Sequence, residues 1–212
     1  SLQVSRSYEP NRNLITQVKN QAGTNVISQF DYQNDAVGRR ISVKNSGMAF
    51  QGLNAFNLYG YNERSELTSA QRYFGTDTGQ TNNPVGLQDF GYEYDPIGNR
   101  ISSTKNQEQA TYLANSLNQY TQRTVPGVVD VLGSASTGAT VTVNNSAVTR
   151  QGAYWYKELP VTNSASAVYQ PVSVVGVVNP PGANLDIVTA ETGNVFVSKT
   201  PELFAHDDDG NQ

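Results

Sequence analysis

A chain of 212 residues that is 37% hydrophobic and only 15% charged has room for one large domain or two small ones. It is too polar for one deep core, and too poor in charge for a disordered, charge-rich chain. The net charge of −4 and pI near 4.9 provide no cationic face, so no nucleic-acid partner is expected.

Zero cysteines exclude disulfides, thiolate metal sites and cysteine nucleophiles. No apolar run approaches the roughly 20 residues of a membrane span. Asn, Gln, Ser, Thr, Gly and Tyr dominate instead, residues that suit pleated strands and tight turns. An all-β chain is expected. It opens on Ser1 with no charged-then-apolar leader, and reads as a piece of something longer.

In chain order, the first element is a strand ending at Tyr8, a turn Glu9-Pro10-Asn11-Arg12-Asn13, and a second strand from Leu14. The frame recurs at Asn34-Asp35-Ala36-Val37-Gly38-Arg39-Arg40, at Tyr61-Asn62-Glu63-Arg64-Ser65-Glu66 and at Tyr94-Asp95-Pro96-Ile97-Gly98-Asn99-Arg100. Further copies are Ala114-Asn115-Ser116-Leu117-Asn118-Gln119-Tyr120 and a truncated His206-Asp207-Asp208-Asp209-Gly210. The copies begin at 8, 34, 61, 94, 114 and 206, so the intervals are 26, 27, 33, 20 and 92. Five copies, one inserted domain and a sixth copy follow from that spacing.

Each copy predicts a β-hairpin. Aromatics alternate in the leading strand, as in Phe30-Asp31-Tyr32 and Phe90-Gly91-Tyr92-Glu93-Tyr94, which places them on one face. In the turn, Asp35 or Asp95 accepts the backbone N–H two residues on, Pro96 presets φ, and Gly38 or Gly98 takes positive φ. Asp209 and Gly210 belong to the last such turn. One hairpin is unstable alone, whereas stacked hairpins form a continuous sheet with the tyrosines as cross-strand ladders. The Gly position is occupied by Arg12, Ser65 and Asn118 in three copies, and the Tyr position by Asn34, Ala114 and His206.

The Tyr-Asp-x-x-Gly-Asn/Arg-Arg unit resembles the YD repeat of the RHS family, over residues 1–123 and again over 200–212. The resemblance implies a curved or spiral β-sheet. It also implies a secreted or cell-surface bacterial protein, in which such repeats act as a scaffold, as an adhesion surface, or as a shell around a toxin. The aspartate-rich self-cleaving core that ends toxin-releasing members has no copy here.

Residues 124–199 differ in texture. Short alternating strands are predicted at 128–132, 139–143, 147–150, 154–159 and 168–178, with Asn179-Pro180-Pro181-Gly182 as a turn. The pattern is that of a small β-sandwich, and Gly138-Ala139-Thr140-Val141-Thr142-Val143 resembles a bacterial Ig-like module.

Candidate chemistry is sparse. His206 is the only histidine, so neither a Ser–His–Asp triad nor a histidine-rich metal site can be assembled. Asp207 and Asp209 would fit a Ca²⁺ loop, but Ala205 falls at its first ligand position, so the turn reading is preferred. No carboxylate pair stands out among turn acids such as Glu9, Asp35 and Asp95 or strand acids such as Glu158. Tyr154 and Tyr156 are the glycan-stacking candidates, with Trp155 pointing the opposite way as core. No cofactor and no catalysis are expected. The expected partners are the rest of the parent chain, a cell-surface glycan, and other copies meeting at unpaired sheet edges.

Overall fold

The computed structural model describes residues 1–182, 185–207 and 209–210. The chain is all-β with large, open antiparallel sheets. Among the described residues there is no α-helix, only a short 3-10 turn at Met48–Phe50. Among the described residues no helix is long and apolar enough to cross a membrane. The chain divides into two compact units, 1–92 and 93–212, and one long strand passes through the division.

In the first unit the strands are β1 (Leu2–Tyr8), β2 (Ile15–Ala22), β3 (Asn25–Asn34), β4 (Arg40–Ser46), β5 (Ala55–Tyr61), β6 (Leu67–Phe74) and β7 (Pro84–Tyr94). They pair antiparallel in chain order, each with the next. This sheet has little apolar interior. Phe56 is fully buried and stacks on Tyr73 at 5.4 Å, with Ala55, Val85 and Leu87 also buried. Elsewhere polar side chains bridge the strands: Gln17 donates to Asp31 at 2.8 Å, Asn20 to Ser28 at 2.9 Å, and Arg72 to Asn57 at 2.7 Å. The polar composition of the sequence becomes, in the fold, these cross-strand bonds.

The second unit continues with β8 (Arg100–Lys105), β9 (Glu108–Ala114) and β10 (Tyr120–Arg123). After β10 the chain leaves this sheet, and it returns as β18 (Glu202–Leu203), which pairs with β10. Between them lie β11 (Val128–Ser134), β12 (Thr140–Val143), β13 (Ser146–Ala147), β14 (Thr149–Gln151), β15 (Tyr154–Pro160), β16 (Val168–Val178) and β17 (Ile187–Val197). These form a three-stranded sheet, β11-β15-β14, and a four-stranded sheet, β13-β12-β16-β17.

A valine-rich core lies within these two sheets: Val129, Val141, Val143, Leu159, Val161 and Val197 gather around Trp155, which is 6% exposed. Gly133 faces Trp155 across the β11–β15 ladder. A Cβ there would stand 2.6 Å from the indole ring, so this strand position must be glycine. Four of the expected strands appear near their predicted bounds as β11, β12, β15 and β16, whereas the strand expected at 147–150 is split into β13 and β14, which belong to different sheets. A further long strand, β17, is exposed along almost its whole length.

Buried Asn163 ties the ends of this region together. Its amide donates to the carbonyls of Val125 (3.2 Å) and Ser198 (2.8 Å), and its own carbonyl accepts the N–H of Thr200. The Val125 N–H in turn donates to the Thr200 hydroxyl at 3.0 Å. Departing and returning chain therefore meet at one polar clasp, next to the β10–β18 pairing.

Candidate functional site

The most repeated structure in the molecule is a turn. At Asp35 the side-chain Oδ1 accepts the N–H groups of Val37 (3.1 Å) and Arg39 (2.8 Å), and the carbonyl accepts Gly38 N–H (3.1 Å). Asp95 does the same with Ile97, Asn99 and Gly98. Asn62 and Asn115 reproduce it with Arg64, Glu66 and Ser65, and with Leu117, Gln119 and Asn118.

An oxygen acceptor at the first position and positive φ at the fourth define the unit. Gly38 (φ 92°), Ser65 (65°), Gly98 (96°) and Asn118 (61°) all meet the second condition. The glycine-free copies thus adopt the same turn, with Ser65 and Asn118 in the left-handed region. Pro96 stands at the second position of its turn.

The first copy departs from the sequence frame. Its positive φ falls on Asn13 (55°), not Arg12, because the hairpin closes at Tyr8↔Ile15 with one residue more than at Tyr61↔Leu67. Glu9 stands where the other copies have Asp or Asn, but its carboxylate accepts the side chains of Arg12 (2.7 Å) and Asn34 (3.4 Å).

Neighbouring turns are bonded to one another. Arg12 donates to the carbonyls of Asp35 (2.6 Å) and Ala36 (2.9 Å), and Arg39 to the carbonyl of Asn62 (3.1 Å). In the second unit Asn99 reaches Asn118 at 3.3 Å. The tyrosines interleave with the arginines. Arg40 lies over the Tyr32 ring at 3.9 Å and Arg39 over Tyr61 at 4.9 Å, while Tyr61 donates its hydroxyl to the Arg40 carbonyl. In the second unit the Arg100 N–H donates to the Tyr120 hydroxyl at 2.9 Å.

The electrostatics follow from these bonds. Burial pushes the Asp35 carboxyl up, but hydrogen bonds from the Arg39 side chain and from the Arg39 and Val37 backbone outweigh it and hold the group below its ordinary value. Asp95 is lowered likewise: burial opposes, and the bonds from Asn99, Ile97 and Gly98 prevail.

The last predicted turn also takes this shape. Asp207 accepts Asp209 N–H on its carboxylate (3.1 Å) and Gly210 N–H on its carbonyl (3.0 Å), with Gly210 at φ 84°. Its carboxylate is thereby engaged as a turn acceptor, and among the described residues no group of three or more acids or histidines is placed to hold a metal. Asp208 lies outside the described residues.

Tyr154 and Tyr156 do come together, with ring centroids 6.0 Å apart, but they do not form an open platform. Tyr154 is only 7% exposed, and Tyr156 is half-buried. Alternation led to the expectation that burying Trp155 would leave both tyrosines in solvent; Tyr154, where β15 leaves its turn, is buried along with Trp155.

The exposed aromatic pair is elsewhere. Tyr169 on β16 and Phe196 on β17 are direct cross-strand partners with centroids 5.1 Å apart, and they are 71% and 53% exposed. They are 27 residues apart in sequence, and only the β16–β17 register brings them together.

Phe196 borders a groove of about 480 Å³ between the β8–β10 hairpin sheet and the inserted sheets. Its polar lining is a set of fixed charges. Asp130 on β11 receives Lys105 (2.7 Å) and Asn106 (3.0 Å) on Oδ2; its side chain is 8% exposed and its Oδ1 has no partner. Arg123 on β10 pairs with Glu202 on β18 at 2.5 Å, and its buried Nε has no acceptor. Tyr112 lies alongside. Burial works to raise its phenol, but bonds with Ser103 and Arg100 hold it below its ordinary value.

No protein-family model matches the chain, and neither does any curated protein.

Proposed function

We propose that this chain is a scaffold segment of a secreted or cell-surface RHS/YD-repeat protein: stacked YD hairpins, with an Ig-like sandwich inserted after the fifth repeat, and no catalysis in the segment. The observation that carries this reading is the repetition of one turn, bonded to its neighbour by side chains that reach forward from Arg12, Arg39 and Asn99. A motif whose side chains join one repeat to the next is what a scaffold requires.

Continuity past the insertion supports the same reading. β18 pairs with β10, and a Cβ on Gly210 would stand 3.0 Å from the Gln119 side chain, so the sixth turn abuts the fifth across 92 residues of sequence. The insert is a decoration on an uninterrupted array.

Replacing residues 126–199 with a short flexible linker tests this. Amide exchange protection on β8, β9 and β10 should persist, because the Asn115 turn and the β9–β10 ladder remain. Loss of that protection would show that the sandwich is part of the fold's foundation. On intact cells making the parent chain, an antibody to the insert should label without permeabilisation; labelling only after permeabilisation removes the surface assignment.

Under this reading, adhesion through a surface glycan and enclosure of a toxin are roles of the parent.

A further inference from the structure

We infer that the outer edge of β17 is an interface between two copies of this chain, each laying its β17 antiparallel to the other's about a two-fold axis at Thr192. The inference goes beyond the scaffold reading and does not rest on it, because it uses only the inserted sheet.

The argument begins with where the backbone groups point. β17 is the last strand of its sheet and pairs only with β16. On β16 both backbone groups of Ser173 are used on the β12 side: its N–H donates to the Asn144 side chain and its C=O accepts the Asn144 N–H, each at 2.8 Å. Bonding direction alternates along an antiparallel strand, so Val172 and Val174 turn instead to β17, where they face Gly193 and Glu191. The even-numbered residues of β17 therefore turn outward. Val188, Ala190, Thr192, Asn194 and Phe196 present their N–H and C=O groups along a free edge.

That edge lacks the devices that keep edges apart. β17 runs for 11 residues without Lys, Arg or Pro, and its ladder with β16 has no bulge. The opposite edge of the same sheet, β13, is only two residues long.

The sequence of β17 favours a second copy over a foreign strand. It is apolar at both ends, Ile187-Val188 and Val195-Phe196-Val197, and small or polar between them. Antiparallel pairing about Thr192 sets Val188 against Phe196, Ala190 against Asn194, and Thr192 against itself. Every outward N–H and C=O then meets its complement, and apolar residues meet apolar ones. Phe196, already against Tyr169 at 5.1 Å, gains a β-branched neighbour across the new ladder. The strand's one charge, Glu191, faces Gly193 of the other copy and is offset by two residues from that copy's Glu191. Such an interface is isologous and closes as a dimer. One strand edge is a small contact, so a dissociation constant of about 1–100 µM is expected.

Sedimentation velocity on the 212-residue chain should show a concentration-dependent dimer in that range. Thr192→Pro removes an outward N–H and leaves the β16 ladder intact, so it should weaken the dimer at least about tenfold with an unaltered melting curve. Oxidation of single-cysteine variants fixes the register, since the chain has no cysteine of its own. Thr192→Cys should link two chains, because self-opposed bonded residues lie about 5.5 Å apart between Cα atoms, within disulfide reach. Thr189→Cys, opposite Val195, should not link, and this pair of variants decides the matter even where Thr192→Pro fails to fold. A chain that stays monomeric through about 500 µM overturns the inference. So does a dimer undiminished in folded Thr192→Pro, or one in which Thr192→Cys links no better than Thr189→Cys.

Discussion

The hairpin array and the inserted sandwich solve the same problem, holding β-strands together, by different means. In the sandwich, side chains from two sheets interlock around Trp155, and its core members are apolar. In the first unit the buried set includes Ser42 and Asn45 beside Phe56, and much of the cross-strand bonding is polar. One region is stabilised by water exclusion, the other by the geometry of turns and what they hold in register. The lesson is that sequence repetition and hydrophobic density are separate routes to β-structure, and this chain places them side by side.

That contrast predicts where single substitutions do most harm. The largest effect should come from Trp155→Ala, which opens a cavity that the surrounding valines cannot collapse to fill, at a cost of about 3–5 kcal/mol. Followed by urea denaturation with amide exchange, the loss should be confined to β11–β17, with β8 and β9 still protected. If exchange accelerates equally through the hairpins, the two regions form one cooperative unit and the contrast fails.

Legibility in the sequence followed the same division. The hairpins could be read because their turns carry local signals: Asp95, Pro96 and Gly98 each act within a few residues. The frame slips by one at Arg12 because Glu9 and Asp35 look equivalent in sequence, while the Glu9 carboxylate bonds the Arg12 and Asn34 side chains and its turn carries one residue more. In the insert, strand positions were visible as valine alternation. The burial of Tyr154 was not, since alternation describes a strand's two faces and says nothing about what covers the outer one. β17 and the Tyr169–Phe196 pair had no local signature. The groove had none either: its lining runs from Ser103 to Ser198, residues that share it only through the path of the chain between them.

A smaller effect, restricted to the array, should appear with pH. Asp35 and Asp95 are depressed in the folded chain below the ordinary value of 3.8. Their contribution is therefore complete above about pH 4 and is lost as the pH falls through their lowered folded values. The Asn115 turn has the same geometry with a neutral acceptor, and serves as the internal control. In an NMR titration the amides of Val37, Arg39, Ile97 and Asn99 should move with midpoints below 3.8, while Leu117 and Gln119 stay flat. Equal movement at all three turns would mean that acid acts on the fold globally, not through the turn carboxylates.

The smallest effect should be a gain. Ser65 has a φ of 65° where Gly38 and Gly98 occupy the equivalent position, and a residue with a Cβ pays roughly 1–2 kcal/mol for that conformation. Ser65→Gly relieves this strain, partly offset by the greater freedom glycine adds to the unfolded chain and by loss of a long 3.3 Å bond from Arg39 to the Ser65 hydroxyl. A net stabilisation of about 0.5–1 kcal/mol remains, read as a higher urea midpoint with an unchanged slope. Gly98→Ala should move the midpoint the other way, because it imposes the same strain at φ 96°. If both substitutions destabilise, the Ser65 hydroxyl contributes more to joining its turn to Arg39 than the backbone strain costs, and the array depends on side-chain links even more than on turn conformation.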